Sequence, residues 1–374
     1  MKKFLTLLLS LSLVLMMFGS VTMAEDEIII GACTSTSTSQ STMAQIRGYE
    51  AVAEAIGARF IRETYTAFSP EEQMASVERL LAAGADGIML VPASESLMMA
   101  IYSMCEEAGV YYEFLMRDIT DPDLKELIEA GQYYVGCTYG DNFQGAYNMT
   151  QALIDSGSKN IAILGFPKGD SVGDTFDAGC LQAIEDNGCT FITEARDFGS
   201  AADMTNAVTS ILTTHPETDG IILLGGVPHE GILPATATAI ENMGMTGKVR
   251  IAMNDYVDGM AEYLDNGTLI YVFGGNQVFE SQLAFVNLAN CVVGSPLTDE
   301  IDLTITHNYL TIVSSQQLEN YMTFVEGDIP PYTAEEIRDT MIRANNPDFD
   351  GEDLKAMLLN MSIDEVAARH ANLL

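Results

Sequence analysis

Short apolar runs alternate with helix-length segments along most of this sequence, and that alternation constrains the fold more than any other feature. Residues 28–33, 59–66, 85–91, 110–116 and 133–137 read as strands. Helical patterns at 43–56, 70–83 and up to 108 separate the earlier ones. The pattern then repeats. Strands at 160–165, 190–193, 220–224 and 249–253 alternate with helices at 142–155, 175–187, 201–214 and 231–243. Ser69-Pro70-Glu71-Glu72 is a strong helix start, with Ser69 as cap, Pro70 at the first helical position and Glu72 completing a capping box. Ala85-Asp86-Gly87-Ile88-Met89-Leu90 returns as Thr218-Asp219-Gly220-Ile221-Ile222-Leu223, which points to two similar lobes. Strands apolar on both faces and spaced by helices imply parallel sheets covered on both sides.

Such sheets hold ligands beyond the carboxyl ends of their strands. The search for functional residues therefore narrows to five loops, at 34–42, 117–118, 168–174, 227–230 and 254–258.

The chain has 374 residues, 48% of them apolar, which suits two cores and excludes wholesale disorder. Its 17 Lys and Arg stand against 53 Asp and Glu, a net charge of −36. That charge repels phosphate backbones and anionic bilayers, so nucleic-acid binding and polybasic membrane attachment are poor readings, and it favours a monomer. Lys2 and Lys3, the apolar run 4–18, and Thr22 and Ala24 at the −3 and −1 positions form a secretory signal peptide over 1–24. Export follows, to the periplasm, the cell surface or the exterior, with no further run long enough to span a membrane. Ile30-Gly31-Ala32-Cys33 resembles a lipoprotein box, but Glu25, Asp26 and Glu27 separate it from the apolar run, and Cys33 closes the first strand. Six cysteines (33, 105, 137, 180, 189, 291) in an exported chain could form disulfides, but they show no C-x-x-C spacing and 33, 105 and 137 fall inside apolar elements, so small buried thiols are the favoured reading. The four histidines are scattered, so neither a metal nor a cofactor is expected.

Gly84-Ala85-Asp86-Gly87-Ile88-Met89-Leu90-Val91-Pro92, then Glu106-Glu107-Ala108-Gly109-Val110 and a strand ending at Arg117-Asp118, resembles type I periplasmic sugar-binding proteins. Gly140-Asp141-Asn142, Leu212-Thr213-Thr214-His215-Pro216, Met253-Asn254-Asp255 and Asp265-Asn266-Gly267-Thr268 continue the resemblance over about 28–325. It implies an α/β fold of two doubly wound parallel-sheet lobes joined by three hinge crossings. The first lobe would take 25–137 plus 274–302, the second 138–273 plus 303–325, and 326–374 would form a helical C-terminal extension. In that extension Thr333-Ala334-Glu335-Glu336 and Ser362-Ile363-Asp364-Glu365 read as capping boxes.

The resemblance implies a cleft between the lobes for a sugar or related polyol, and an ABC importer permease as partner. Carried over residue by residue, it implies ligand contacts at Asp255, Arg117, His229 and Asn276, with Gln277 close by. Met116 stands where the family has an aspartate, and Phe176 where it has a second arginine just before a helix. The first loop offers Ser39, Ser41 and Thr42 in place of asparagine and aromatics. These departures favour a polyol, a modified sugar or another small polar metabolite over an ordinary pyranose. A soluble capture protein for an importer is the leading reading, and a ligand-sensing subunit of a membrane signalling protein the second. The chain shows no nucleophile elbow, P-loop or dinucleotide motif, so an enzyme ranks third.

Overall fold

The computed structural model describes residues 27–196, 198, 200–225, 231–257, 259–298 and 303–371. The expected signal peptide at 1–24 and His229 lie outside the described residues. The first half of the chain forms β1 (Ile29–Ser35), α1 (Gln40–Ala55), β2 (Arg59–Tyr65), α2 (Pro70–Ala82), β3 (Gly87–Leu90), α3 (Glu95–Ala108), β4 (Tyr111–Leu115), α4 (Pro122–Glu129) and β5 (Tyr134–Gly140). The second half repeats it as α5 (Asn142–Asp155), β6 (Asn160–Gly165), α6 (Ser171–Asp186), β7 (Thr190–Arg196), α7 (Ala201–Thr214), β8 (Gly220–Leu223), α8 (Ile232–Asn242), β9 (Arg250–Asn254), α9 (Met260–Asp265) and β10 (Leu269–Gly274). There follow α10 (Gln277–Val292), β11 (Ile305–His307), β12 (Leu310–Ile312), α11 (Ser315–Phe324), α12 (Ala334–Thr340), α13 (Gly351–Leu359) and α14 (Ile363–His370).

Two six-stranded sheets result, in the orders β11-β5-β4-β3-β1-β2 and β12-β10-β9-β8-β6-β7. Every pairing is parallel except β12 on β10. The expected architecture of two doubly wound lobes is therefore present. Burial of β3, β8 and β9 on both faces explains their continuous apolar runs. Cys33 sits inside β1, in register with Glu63 on β2 and Leu90 on β3, and burial pushes its thiol up to about 12. All six cysteines are free.

Three crossings join the two sheets, after β5, between β10 and α10, and between β11 and β12. Their places differ from the sequence boundaries. β5 continues in the first sheet to Gly140, past the 137–138 boundary. β11 still pairs with β5, so the third crossing falls between His307 and Leu310, not at 302–303. The extension adds a fourth link. α11 packs on α9 and β12 of the second lobe, and α12 then packs on α1 of the first. Arg47 of α1 donates to the Glu326 and Gly327 carbonyls along this return.

α10 is buried over 278–291, between the first sheet and the extension. Three of its polar side chains, Gln282, Asn287 and Asn290, bond backbone groups far away in sequence. Gln282 donates to the Tyr332 carbonyl at 2.7 Å and accepts from its N–H at 3.0 Å. Asn290 holds the Met341 carbonyl and the Arg343 N–H in the same manner.

The helix starts are partly as expected. Ser69 caps α2, but the Glu72 carboxylate reaches back to the Thr66 and Ala67 N–H groups instead of closing the box. Thr333 and Glu336 form a full capping box. Ser362 accepts from the Glu365 N–H, while the Glu365 carboxylate pairs with Arg369.

Candidate functional site

The carboxyl ends of the parallel strands in both lobes face one cleft, which holds two adjoining cavities. An outer one of about 580 Å³ lies between Ser94, Arg117 and Thr120 on one side and Asn142, Phe143 and Asp170 on the other. An inner one of about 160 Å³ lies among Phe176, Asp255, Phe273, Asn276, Glu280 and Tyr309. Met116, Gly140, Asn142 and Val172 line both.

Asp255 follows β9 in the left-handed region, with φ 64°. Its N–H donates to the Phe273 carbonyl at 2.8 Å. Buried Asn254 donates to the Asp255 carboxylate at 3.0 Å and accepts from the Gly225 N–H. The carboxylate is thereby aimed from a fixed strand end. Gly274 has to be glycine here, since a Cβ would stand 3.1 Å from the Asp255 backbone and its φ is 140°.

Arg117 follows β4, and its guanidinium lies 5.5 Å from the centroid of the Phe68 ring, a cation–π contact at the cleft rim. The Cys137 thiol donates to the Arg117 carbonyl at 2.9 Å. Phe176 lies in the second turn of α6, because Asp170 caps that helix four residues earlier than its apolar pattern indicates. Its ring meets Phe166 at 6.0 Å and Phe273 at 5.6 Å, and Phe273 meets Tyr309 at 4.9 Å. These rings form a continuous apolar wall. Behind them, half-buried Arg196 donates to the Phe166 carbonyl and pairs with buried Asp177, which also binds Lys168. That network fixes two of the rings.

Asn276 is 1% exposed. Its amide donates to the Asn308 carbonyl at 2.8 Å and accepts from the Leu310 N–H at 2.8 Å, tying the second crossing to the third. His307 stands beside it, with Nε2 3.4 Å from the Glu280 carboxylate. Burial pulls the His307 pKa down, but the Glu280 charge and hydrogen bonds outweigh it and hold the value above the ordinary one.

Ser39, Ser41 and Thr42 line neither cavity. Ser39 caps α1, which begins at Gln40, so the other two occupy its first turn. Gln40 instead reaches the Met322 and Glu326 carbonyls. Three residues the sequence reading did not assign to the site stand in the inner cavity, namely Glu280, Tyr309 and Asn142, with the Tyr309 hydroxyl donating to Asn142 at 2.6 Å. They come from a helix, a hinge and a helix start, outside the post-strand loops. Among the described residues no three His, Cys, Asp or Glu side chains gather to hold a metal, and no helix is long and apolar enough to cross a membrane.

The family model described as "periplasmic binding protein domain" matches residues 30–295. Among solved structures, a periplasmic solute-binding protein of an ABC transporter from Actinobacillus succinogenes, with bound D-allose, is 21% identical with TM-score 0.64, covering 79% of this chain and 100% of that one. A periplasmic ribose ABC transporter protein from Conexibacter woesei is 16% identical with TM-score 0.66, covering 79% and 95%. An ABC transporter solute-binding protein from Bacillus halodurans, with bound myo-inositol, is 17% identical with TM-score 0.62, covering 79% and 97%. No curated protein matches by sequence.

Proposed function

From the premise that this chain belongs to the periplasmic binding protein domain family, we propose that it captures a small polyhydroxylated ligand, a sugar or related polyol, in the interlobe cleft. One arrangement carries the reading: a rigidly aimed carboxylate, Asp255, and the wall of rings Phe176, Phe273 and Tyr309 enclose the same inner cavity. A carboxylate accepts from two neighbouring hydroxyls, and ring faces cover the C–H surface of a sugar. Arg117 at the outer cavity adds a guanidinium that donates to two more oxygens. The signal-peptide order of residues 1–24 and the family membership support export and delivery to an ABC importer permease. The lobes would close on the ligand about the crossings, as hinged two-lobe binders do.

A thermal-shift screen of sugars, cyclitols and linear polyols on the purified mature chain tests the proposal. A ligand at 100 times its Kd stabilises the fold by about 2.7 kcal/mol. A clear rise in melting temperature with at least one polyol is the expected result. No response across the panel would remove the polyol reading.

A further inference from the structure

Glu280 and His307 form a buried pair at the wall of the inner cavity. Glu280 lies in the first turn of α10, lines the cavity and is 3% exposed. His307 closes β11 and is 1% exposed. The hydrogen bonds around the ring fix where its protons sit. Asn276 Oδ1 accepts from the Leu310 N–H, so its Nδ2 is the donor, 2.8 Å from the Asn308 carbonyl. His307 Nδ1 stands 2.9 Å from the same carbonyl and 3.3 Å from Asn276 Nδ2. A carbonyl oxygen only accepts, so Nδ1 carries a proton. On a neutral ring Nε2 would then turn a lone pair toward Glu280 Oε1, 3.4 Å away. Neither atom has a hydrogen-bond partner elsewhere. A carboxylate facing a lone pair in a buried place is repulsive, and one proton held between Nε2 and Oε1 removes the repulsion. The raised pKa of His307 agrees with this placement.

The surroundings single out the pair. α10 packs on α1, β3, β4, β5 and α13, and β11 packs on β5 and α13. From these elements the titratable groups nearest the pair are Tyr49 of α1, Glu113 of β4 and Cys137 of β5. Arg47 of α1 is engaged by the Glu326 and Gly327 carbonyls. β3 carries no titratable residue, and α13 turns Leu354 and Leu358 inward. On the cleft side Tyr309 stands near Glu280, Asp255 and Asp141. Burial pushes the Tyr49 and Tyr309 hydroxyls and the Cys137 thiol up, so none of the three changes charge in the histidine range.

We infer that Glu280 is a further ligand-contacting residue, accepting a polyol hydroxyl in the inner cavity, and that His307 positions it through the shared proton, so that binding and protonation are coupled. The inference rests on the polyol reading of the cleft and adds a residue to it. Closure of the lobes over a polyol removes water from the cavity. A carboxylate that shares a proton with the imidazole enters that dry space as part of a neutral pair. A carboxylate beside a neutral ring carries a net charge into it, which burial opposes. The closed cleft therefore holds the proton more tightly than the open one. Affinity is highest below the pKa of the pair in the ligand-free protein and falls as pH rises from there to its value in the complex. Between the two, binding takes up a proton from the buffer.

Calorimetry with D-allose, D-ribose and myo-inositol from about pH 5 to about pH 9, in buffers of different ionisation heat, tests the coupling. For a polyol that binds wild type, affinity should drop about tenfold from the acid to the alkaline end, the equivalent of one pKa unit between free and bound protein. The measured heat should also change with the buffer. His307→Gln keeps a donor for Glu280 but no titratable ring, and should give a flat profile and buffer-independent heat. Glu280→Gln replaces a charged acceptor with a neutral one. It should bind about tenfold more weakly at the acid end, with the same flat profile. A flat wild-type profile, or a wild-type profile in His307→Gln, would overturn the proton coupling. Wild-type affinity in Glu280→Gln would overturn the contact. Each of these results leaves the polyol reading standing. The buffer dependence of wild type needs no variant, so it decides the coupling even where a variant does not fold. Failure of all three polyols, together with a negative thermal-shift screen, would end the polyol reading and this inference with it.

Discussion

Met116 and Asp255 occupy the same place in the two lobes. Each directly follows the fourth strand of its sheet, each has a left-handed backbone (φ 63° and 64°), and each N–H donates to a carbonyl on the fifth strand, Thr138 and Phe273 respectively. Both side chains line the inner cavity. A left-handed non-glycine residue carries about 1–2 kcal/mol of strain, which here turns one thioether and one carboxylate into the cleft. The lobes thus share a backbone device and differ in the chemistry mounted on it.

That device makes a clear expectation for Met116. Met116→Gly removes the strain but adds chain entropy, about 0.5–1 kcal/mol, so its urea midpoint should stay close to wild type. Met116→Val, β-branched and ill-suited to this φ, should lose about 1–3 kcal/mol. Equal stability of the two variants would show that the left-handed turn is not maintained in solution.

Asn276→Ala should weaken the hinge. It leaves the buried Leu310 N–H without its acceptor and takes the amide donor from the Asn308 carbonyl, which keeps only its contact with His307 Nδ1. The expected loss is about 2–4 kcal/mol in chemical unfolding of the ligand-free protein. A variant of wild-type stability would mean that the crossings are not tied through this amide.

The Glu280–His307 pair gives stability a pH dependence. The histidine pKa is raised in the fold, so the folded chain holds its proton more tightly than the unfolded chain. The pair's contribution is fully present below the ordinary histidine pKa and is lost as pH rises through the folded value. Urea midpoints of wild type should therefore fall across that window relative to those of His307→Gln. Parallel curves for the two proteins would contradict the assignment.

Gln282 is the clamp between α10 and the extension. Gln282→Ala strands both backbone groups of Tyr332 and should cost about 2–4 kcal/mol. Lys355→Ala, at a half-buried position of α13 away from this contact, should change stability by no more than about 1 kcal/mol. If Gln282→Ala were as mild as Lys355→Ala, the extension would not be held through this contact.

What the sequence revealed follows from which forces leave a local trace. Parallel strands buried on both faces write continuous apolar runs, so most of β1 to β9 could be read directly. α4 went unread although Asp121-Pro122 is a cap followed by a first-turn proline, because the helix is short. α10 has no polar face to mark its period, since both sides are covered. The extent of β5 and the partner of β11 depend on pairing between distant segments, which shifted two hinge positions. In the site, the post-strand rule led to Arg117 and Asp255. It could not reach Glu280 or Tyr309, which arrive through helix and hinge, nor show that Ser39 is engaged in capping a helix.

The most direct test of the cleft as the binding site is calorimetric titration of wild type, Asp255→Ala and Arg117→Ala with the polyol that gives the largest thermal shift. Charge-assisted hydrogen bonds in an enclosed site contribute about 1.5–3 kcal/mol each. Each variant should therefore bind about 10- to 150-fold more weakly, with little change in its ligand-free melting temperature. Wild-type affinity in both variants would contradict the account and place the ligand elsewhere.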